Sequence, residues 1–190
     1  DVSFATREVT VVANNTPGLH QGVVAVRYDA SMDRWEQAVQ LEDQASGYAT
    51  AGRATLAVDR SGKVMAAFAQ RGGAGALEAF VSVRDPSGTV WNGRSQLSQA
   101  GVNVDEGVAL RADGTGVFTA LWVGGGSLDR LETSRTVTPP FGSSTTLETG
   151  QIRGLELLED RDGRAVGLWK QDGALRFATA TPSGSLGPAS

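Results

Sequence analysis

The acids Glu36, Glu42, Asp43, Asp105, Glu106, Glu132, Glu148 and Glu156 are of the kind that protonates a leaving group or activates a water. Cleaving a glycosidic bond would need two of them facing one cleft, and none stands in a motif that sets its direction. Arg27, Arg84 and Arg135 could clamp an anionic substrate, but they recur once per repeat unit at equivalent places, as scaffold residues do. His20 lies in a polar stretch with no second histidine and no cysteine in the chain, so a histidine-based triad or metal site has no partners. Asp160-Arg161-Asp162-Gly163 has the opening of a calcium loop without its later ligands. Neither Gly72 to Gly75 nor Gly124-Gly125-Gly126 carries the lysine and hydroxyl of a phosphate loop. The expectation is therefore no catalytic residue, no metal and no cofactor.

The elements that would position any site are more legible, because the chain repeats. Asp59-Arg60-Ser61-Gly62 is followed six residues after its glycine by Phe68; Asp113 to Gly116 leads likewise to Trp122, and Asp160 to Gly163 to Trp169. A second pattern is interleaved: Trp35, Trp91 and Phe141 each precede a leucine (Leu41, Leu97, Leu147) by six. Between them lie short apolar runs such as Val64 to Phe68 and Phe80 to Arg84, separated by Asp, Gly and Pro turns. In each Asp-x-x-Gly the carboxylate can accept from the turn backbone and the glycine can take the positive φ that closes a hairpin. Four short strands per unit of about 50 residues read as an antiparallel meander and predict blades of a β-propeller. Two β-sandwich domains would repeat once near the midpoint instead. The fold expected is all-β, a β-propeller of about four four-stranded blades spanning 1–53, 54–107, 108–154 and 155–190, with the first and last incomplete. Asp59, Gly62, Phe68, Asp113, Gly116, Trp122, Asp160, Gly163, Trp169, Trp35, Trp91 and Phe141 are its structural residues, and the four tryptophans are expected in the cores between blades.

Ala57-Val58-Asp59-Arg60-Ser61-Gly62-Lys63-Val64-Met65-Ala66-Ala67-Phe68 resembles the propeller repeats of secreted and lipid-anchored bacterial proteins, as does Val26-Arg27-Tyr28-Asp29 leading to Trp35 and Leu41-Glu42. The resemblance spans nearly the whole chain and implies a fold rather than an activity. More loosely, Asp85-Pro86-Ser87-Gly88-Thr89-Val90-Trp91 is similar to the Asp-box of sialidase-type propellers with one residue too many; there the box is a structural turn.

Composition narrows the partners. A net charge of -4 offers no basic stripe for nucleic acid, and no apolar run is long enough to span a bilayer. Glycine is abundant, with 25 residues against 6 prolines, which fits many tight turns. Repetition without an assembled site points to a non-enzymatic binding or assembly module outside the cytoplasm: secreted, periplasmic or on a bacterial surface, with a protein or glycan partner. It could be a homo-oligomer or part of a longer repeat array. A sialidase-like glycosidase fragment is the enzymatic alternative, and a subunit completed by strand exchange the structural one.

Overall fold

The computed structural model describes residues 2–5, 8–15, 22–42, 50–71, 75–86, 88–125, 129–136, 141, 143–181 and 186–187, and at 2–5, 8–15, 50–53, 106 and 132 the backbone alone. His20 and Asp43 lie outside the described residues. Among the described residues all regular structure is strand, and no helix is long and apolar enough to cross a membrane.

The strands form four successive antiparallel sheets. Sheet 1 runs β1 (Val2–Ala5), β2 (Glu8–Asn15) and β3 (Gly22–Asp29), with the short β4 (Arg34–Trp35) and β5 (Val39–Gln40) both on the outer side of β3. Sheet 2 is β6 (Thr50–Val58), β7 (Val64–Arg71), β8 (Leu77–Arg84) and β9 (Ser95–Gln96). Sheet 3 is β10 (Asn103–Ala112), β11 (Phe118–Gly125), β12 (Asp129–Thr136) and β13 (Thr145–Gly150). Sheet 4 is β14 (Ile152–Glu159), β15 (Ala165–Gln171) and β16 (Ala174–Thr179). An isolated pair, Ala180 with Leu186, begins a fourth strand there. The innermost strands lie side by side. β6 and β10 run parallel, joined at Arg53 and Gly107, and Thr55 Oγ1 donates to Val108 O at 2.8 Å. This is a β-propeller.

Pleating decides what fills the space between sheets, because alternate side chains of a strand point to opposite neighbours. On β7, Val64, Ala66 and Phe68 join Val23, Ala25 and Leu41 in the core between sheets 1 and 2. The alternate Met65, Ala67 and Ala69 join Val104, Val108 and Trp122 in the core between sheets 2 and 3. Leu121, Val123 and Leu131 meet Ile152, Leu157 and Trp169 between sheets 3 and 4. Both faces of β7 and β11 are covered, which is why their sequences read as unbroken apolar runs. Phe68, Trp122 and Trp169 occupy one position of the repeat, each buried against the preceding sheet, at 1, 0 and 0% exposure. Burying one such ring contributes roughly 4–6 kcal/mol before entropy.

The outer aromatic position behaves differently. Trp91 bridges Arg84 and packs partly buried against the core between sheets 1 and 2. Phe141 is buried between sheets 2 and 3, and Leu186 takes the same role between sheets 3 and 4. Trp35, paired with Tyr28 as Trp91 is with Arg84, is 54% exposed. The expectation of a core residue fails there for a simple reason. This position faces the preceding sheet, and sheet 1 has none before it among the described residues. Trp35 instead rests against the Tyr28 ring, 5.2 Å between centroids.

The three arginines also depart from strict repetition. Arg27 and Arg135 match Val83, since Glu36 N donates to Arg27 O as Asn92 N does to Val83 O, and Arg135 pairs with Thr119 as Val83 does with Met65. Arg84 lies one residue further along, so it faces the opposite neighbour. It is 2% exposed, with Nη1 donating to Gly88 O at 3.1 Å.

Candidate functional site

The two ends of the sheets are built from different materials. At one end the innermost strands of sheets 2, 3 and 4 turn into their neighbours through Asp-x-x-Gly. Asp59 Oδ1 accepts from Ser61 N at 2.8 Å and Lys63 N at 3.0 Å. Asp113 Oδ1 accepts from Thr115 N at 2.9 Å and Val117 N at 3.0 Å, and Asp160 Oδ1 from Asp162 N and Arg164 N, both at 2.9 Å. Gly62, Gly116 and Gly163 have φ of 87°, 84° and 78°, the left-handed region that glycine enters without strain. Neighbouring turns touch: Gly114 N donates to Gly163 O at 3.1 Å, and Arg111 on β10 pairs with Glu159 on β14 at 2.9 Å. These carboxylates are committed to backbone, which leaves this end little to offer a substrate.

Asp113 is the most enclosed of the three. Arg135 Nη2 donates to its Oδ2 at 2.7 Å and Arg135 Nε to Thr119 Oγ1 at 2.9 Å. Burial pushes the Asp113 carboxyl up, but hydrogen bonds from Thr115 Oγ1, Val117 N and Thr115 N, with the Arg135 charge, hold it below the usual carboxylate range. At Asp160 the Arg164 backbone N–H leads the same downward shift.

At the other end the innermost strands of sheets 2, 3 and 4 break their register. The irregularity falls between Ala51 and Thr55 in β6, between Asp105 and Val108 in β10, and between Arg153 and Glu156 in β14. Ala51, Asp105 and Arg153 are one rung of the repeat, pairing with Ala69, Val123 and Lys170 at matching positions of the second strands. Each break contains a glycine: Gly52, Gly107 with φ 89°, and Gly154 with φ 65°. A bulge of this kind bends the strand and re-aims the flanking side chains, and bulges gather beside active sites. The rung that they flank carries a methyl group, a carboxylate and a guanidinium in the three sheets. Here the break recurs and the chemistry does not.

Asp105 is exposed at this rung. Arg153 is exposed as well, and its Nη1 donates to Asp129 Oδ2 at 2.7 Å and to Ile152 O at 2.6 Å. Asp129 Oδ2 also accepts from Ile152 N at 3.2 Å, tying sheet 3 to sheet 4. Between sheets 2 and 3, Asn103 Oδ1 accepts from Leu77 N at 2.9 Å, and the buried Glu78 accepts from Gly101 N at 2.7 Å. Polar latches thus hold the starts of adjacent sheets in place around Asp105 and Arg153. Among the described residues no three acids or histidines converge to hold a metal.

A concavity of about 340 Å³ opens on the rim between sheets 1 and 2, lined by Gln40, Glu42, Ser82, Trp91, Asn92 and Arg94 among others. Its charged groups are engaged. Arg94 stacks 4.4 Å over the Phe80 ring and donates to Gln70, while Glu42 accepts from Val23 N and Gln40 Nε2.

Among the described side chains, the acids singled out in the sequence lie on different sheets or strands. Glu36 pairs with Arg27 at 3.7 Å, Glu42 lies in the rim cleft, Glu148 is on the outer strand β13, and Glu156 follows the β14 break. Asp105 is at the bulged rung, with Glu106 next to it in the break and Glu132 on β12. Arg153 and the break glycines were missed, although a signal existed: Gly52, Gly107 and Gly154 precede Gly62, Gly116 and Gly163 by 10, 9 and 9 residues.

No family model matches the chain, and no curated protein sequence does. Its fold is similar to that of a Hadza microbial sialidase, at a TM-score of 0.61 and 13% identity over 95% of this chain and 43% of that one. It is also similar to the α-L-arabinanase of Penicillium chrysogenum, at 0.63 and 12% over 96% and 62%. A third likeness is the exo-β-1,3-galactanase of Phanerochaete chrysosporium, at 0.56 and 7% over 100% and 48%. The chain thus spans less than two thirds of the length of each. These neighbours are β-propeller glycosidases. They overturn the expectation of a non-enzymatic module, which rested on seeing no assembled site in the sequence: these three neighbours are enzymes.

Proposed function

We propose that the chain forms part of a glycoside hydrolase, with its sugar-facing surface at the bulged end of the sheets. The observation that carries this reading is the shared rung of Ala51, Asp105 and Arg153, where a register break recurs in three sheets and the residue type beside it changes. An exposed carboxylate beside a bulge can serve as acid, base or nucleophile toward a glycosidic bond, and Asp105 supplies one of the two carboxylates that the reaction requires. Arg153, held by Asp129, is placed to donate to sugar hydroxyls or to a sugar carboxylate. The glycan-acting neighbours support the substrate class, and a polymeric glycan fits a place outside the cytoplasm. The test is hydrolysis of sialosides, arabinan and β-1,3-galactan by the purified chain and by Asp105→Asn. The expected result is turnover on one of these, lowered about 100-fold or more by the substitution with an unchanged thermal midpoint. Equal rates in the two proteins, or no turnover on any substrate, would sink the assignment.

A further inference from the structure

One position of the repeat is filled differently at the three junctions between sheets. Phe141 and Leu186 are buried there, at 9 and 5% exposure. Trp91, at the junction of sheets 1 and 2, is only partly buried against the core and lines the rim cleft of about 340 Å³. That volume is at the low end for small-molecule sites, about 300–1,000 Å³. Around the ring stand amides. Asn92 is exposed, yet its backbone is fixed twice: its N donates to Val83 O at 2.7 Å, and its O accepts from Ser82 Oγ at 2.6 Å. Gln40 lines the cleft from β5. The two charged residues of the lining are matched within the protein, Glu42 by Val23 N and Gln40 Nε2, Arg94 by Gln70 and the Phe80 ring. An ionic ligand would have to compete with those partners, whereas a neutral one need not. A saccharide has an apolar C–H face to lay on an indole and hydroxyls at its edge for amides to bind.

We propose that the rim cleft is a second glycan-binding site, taking a short neutral stretch of saccharide with Trp91 as the stacking platform and Asn92 and Gln40 as hydrogen-bonding groups. The ligand class rests on the glycoside hydrolase reading. The rung of Ala51, Asp105 and Arg153 is on the innermost strands, and the cleft lies among the outer ones. It therefore holds a part of the polymer that is not being cut.

Calorimetric titration with arabinan and β-1,3-galactan oligosaccharides tests this in Asp105→Asn, which does not consume them, alone and with Trp91→Leu or Asn92→Ala added. Leucine already fills this position at Leu186, so Trp91→Leu keeps an apolar side chain on the core and removes the ring. Asn92→Ala changes an exposed side chain, and an unchanged thermal midpoint checks that both variants fold. One of the two oligosaccharides is expected to bind, with its dissociation constant raised about 10-fold or more by Trp91→Leu and about 5-fold by Asn92→Ala. In chains that keep Asp105, the two rim substitutions should raise KM on the polymer and leave kcat unchanged. Binding that depends on Trp91 in a chain that cleaves no glycan would sink the hydrolase reading and leave the cleft standing. Turnover by the wild type, with binding and KM untouched by both rim substitutions, overturns the cleft and spares the hydrolase reading. Failure of both oligosaccharides to bind also overturns the cleft.

Discussion

The turn end and the bulged end of this propeller are made by the same strands, yet they obey opposite rules. At the turn end the residue type repeats: Asp59, Asp113 and Asp160 each accept from the backbone of their own hairpin. At the bulged end a register break recurs and the residue type does not, giving Ala51, Asp105 and Arg153 on one rung. Repeated residues mark what sheets 2, 3 and 4 share in order to fold. Unrepeated residues on a repeated backbone mark what single sheets do for the molecule as a whole.

Replacing Asp113 is the strongest way to test that division. Asp113→Ala strips the turn of its acceptor and leaves Arg135 buried without its carboxylate, a loss of about 3 kcal/mol or more in urea unfolding. Asp160→Ala, at an exposed turn, should shift the midpoint far less. If the two cost the same, the ion pair beneath Asp113 adds nothing and the turns are interchangeable.

The glycines sharpen the comparison. Gly116→Ala forces a side chain into φ 84° and would place its Cβ 3.8 Å from Asp59 Oδ2, without a clash. The expected cost is about 1–2 kcal/mol from backbone strain. Gly107→Ala meets the same penalty at φ 89°, but it also reshapes the break beside Asp105. Both should lower the thermal midpoint comparably, whereas only Gly107→Ala should depress turnover. Equal effects on turnover would detach the bulge from the chemistry.

The smallest effect is a matter of pH. Asp113 has its folded-state pKa depressed, so its contribution is present above the unfolded value of about 3.9 and disappears as pH falls through the folded value. Unfolding of wild type and Asp113→Asn followed from pH 6 to pH 2 should show their gap closing below about pH 4. A gap that stays constant would mean that the carboxylate charge does not matter to the turn.

Local chemistry is what the sequence made legible. An Asp-x-x-Gly hairpin is closed by its own residues, so Asp59, Asp113 and Asp160 could be read with their glycines. The alternation of faces made the burial of Phe68, Trp122 and Trp169 readable from spacing. Trp35 was misjudged because a repeat identifies equivalent positions without saying whether a neighbour covers each one. Arg84 was grouped with Arg27 and Arg135 because a shift of one residue is invisible in sequence and inverts a strand's faces. The rung proposed as the sugar-facing surface was passed over for a related reason: a search for recurring residues does not join Ala51, Asp105 and Arg153, where only the glycines recur.

Each core described here needs two successive sheets, and sheets 2 and 3 each supply two cores while sheets 1 and 4 supply one. Stability in such an array belongs to junctions rather than to units, in the manner of a one-dimensional chain with nearest-neighbour coupling. A lone sheet has nothing to fold against, so order must begin at a pair and spread. Melting should likewise proceed junction by junction rather than strand by strand.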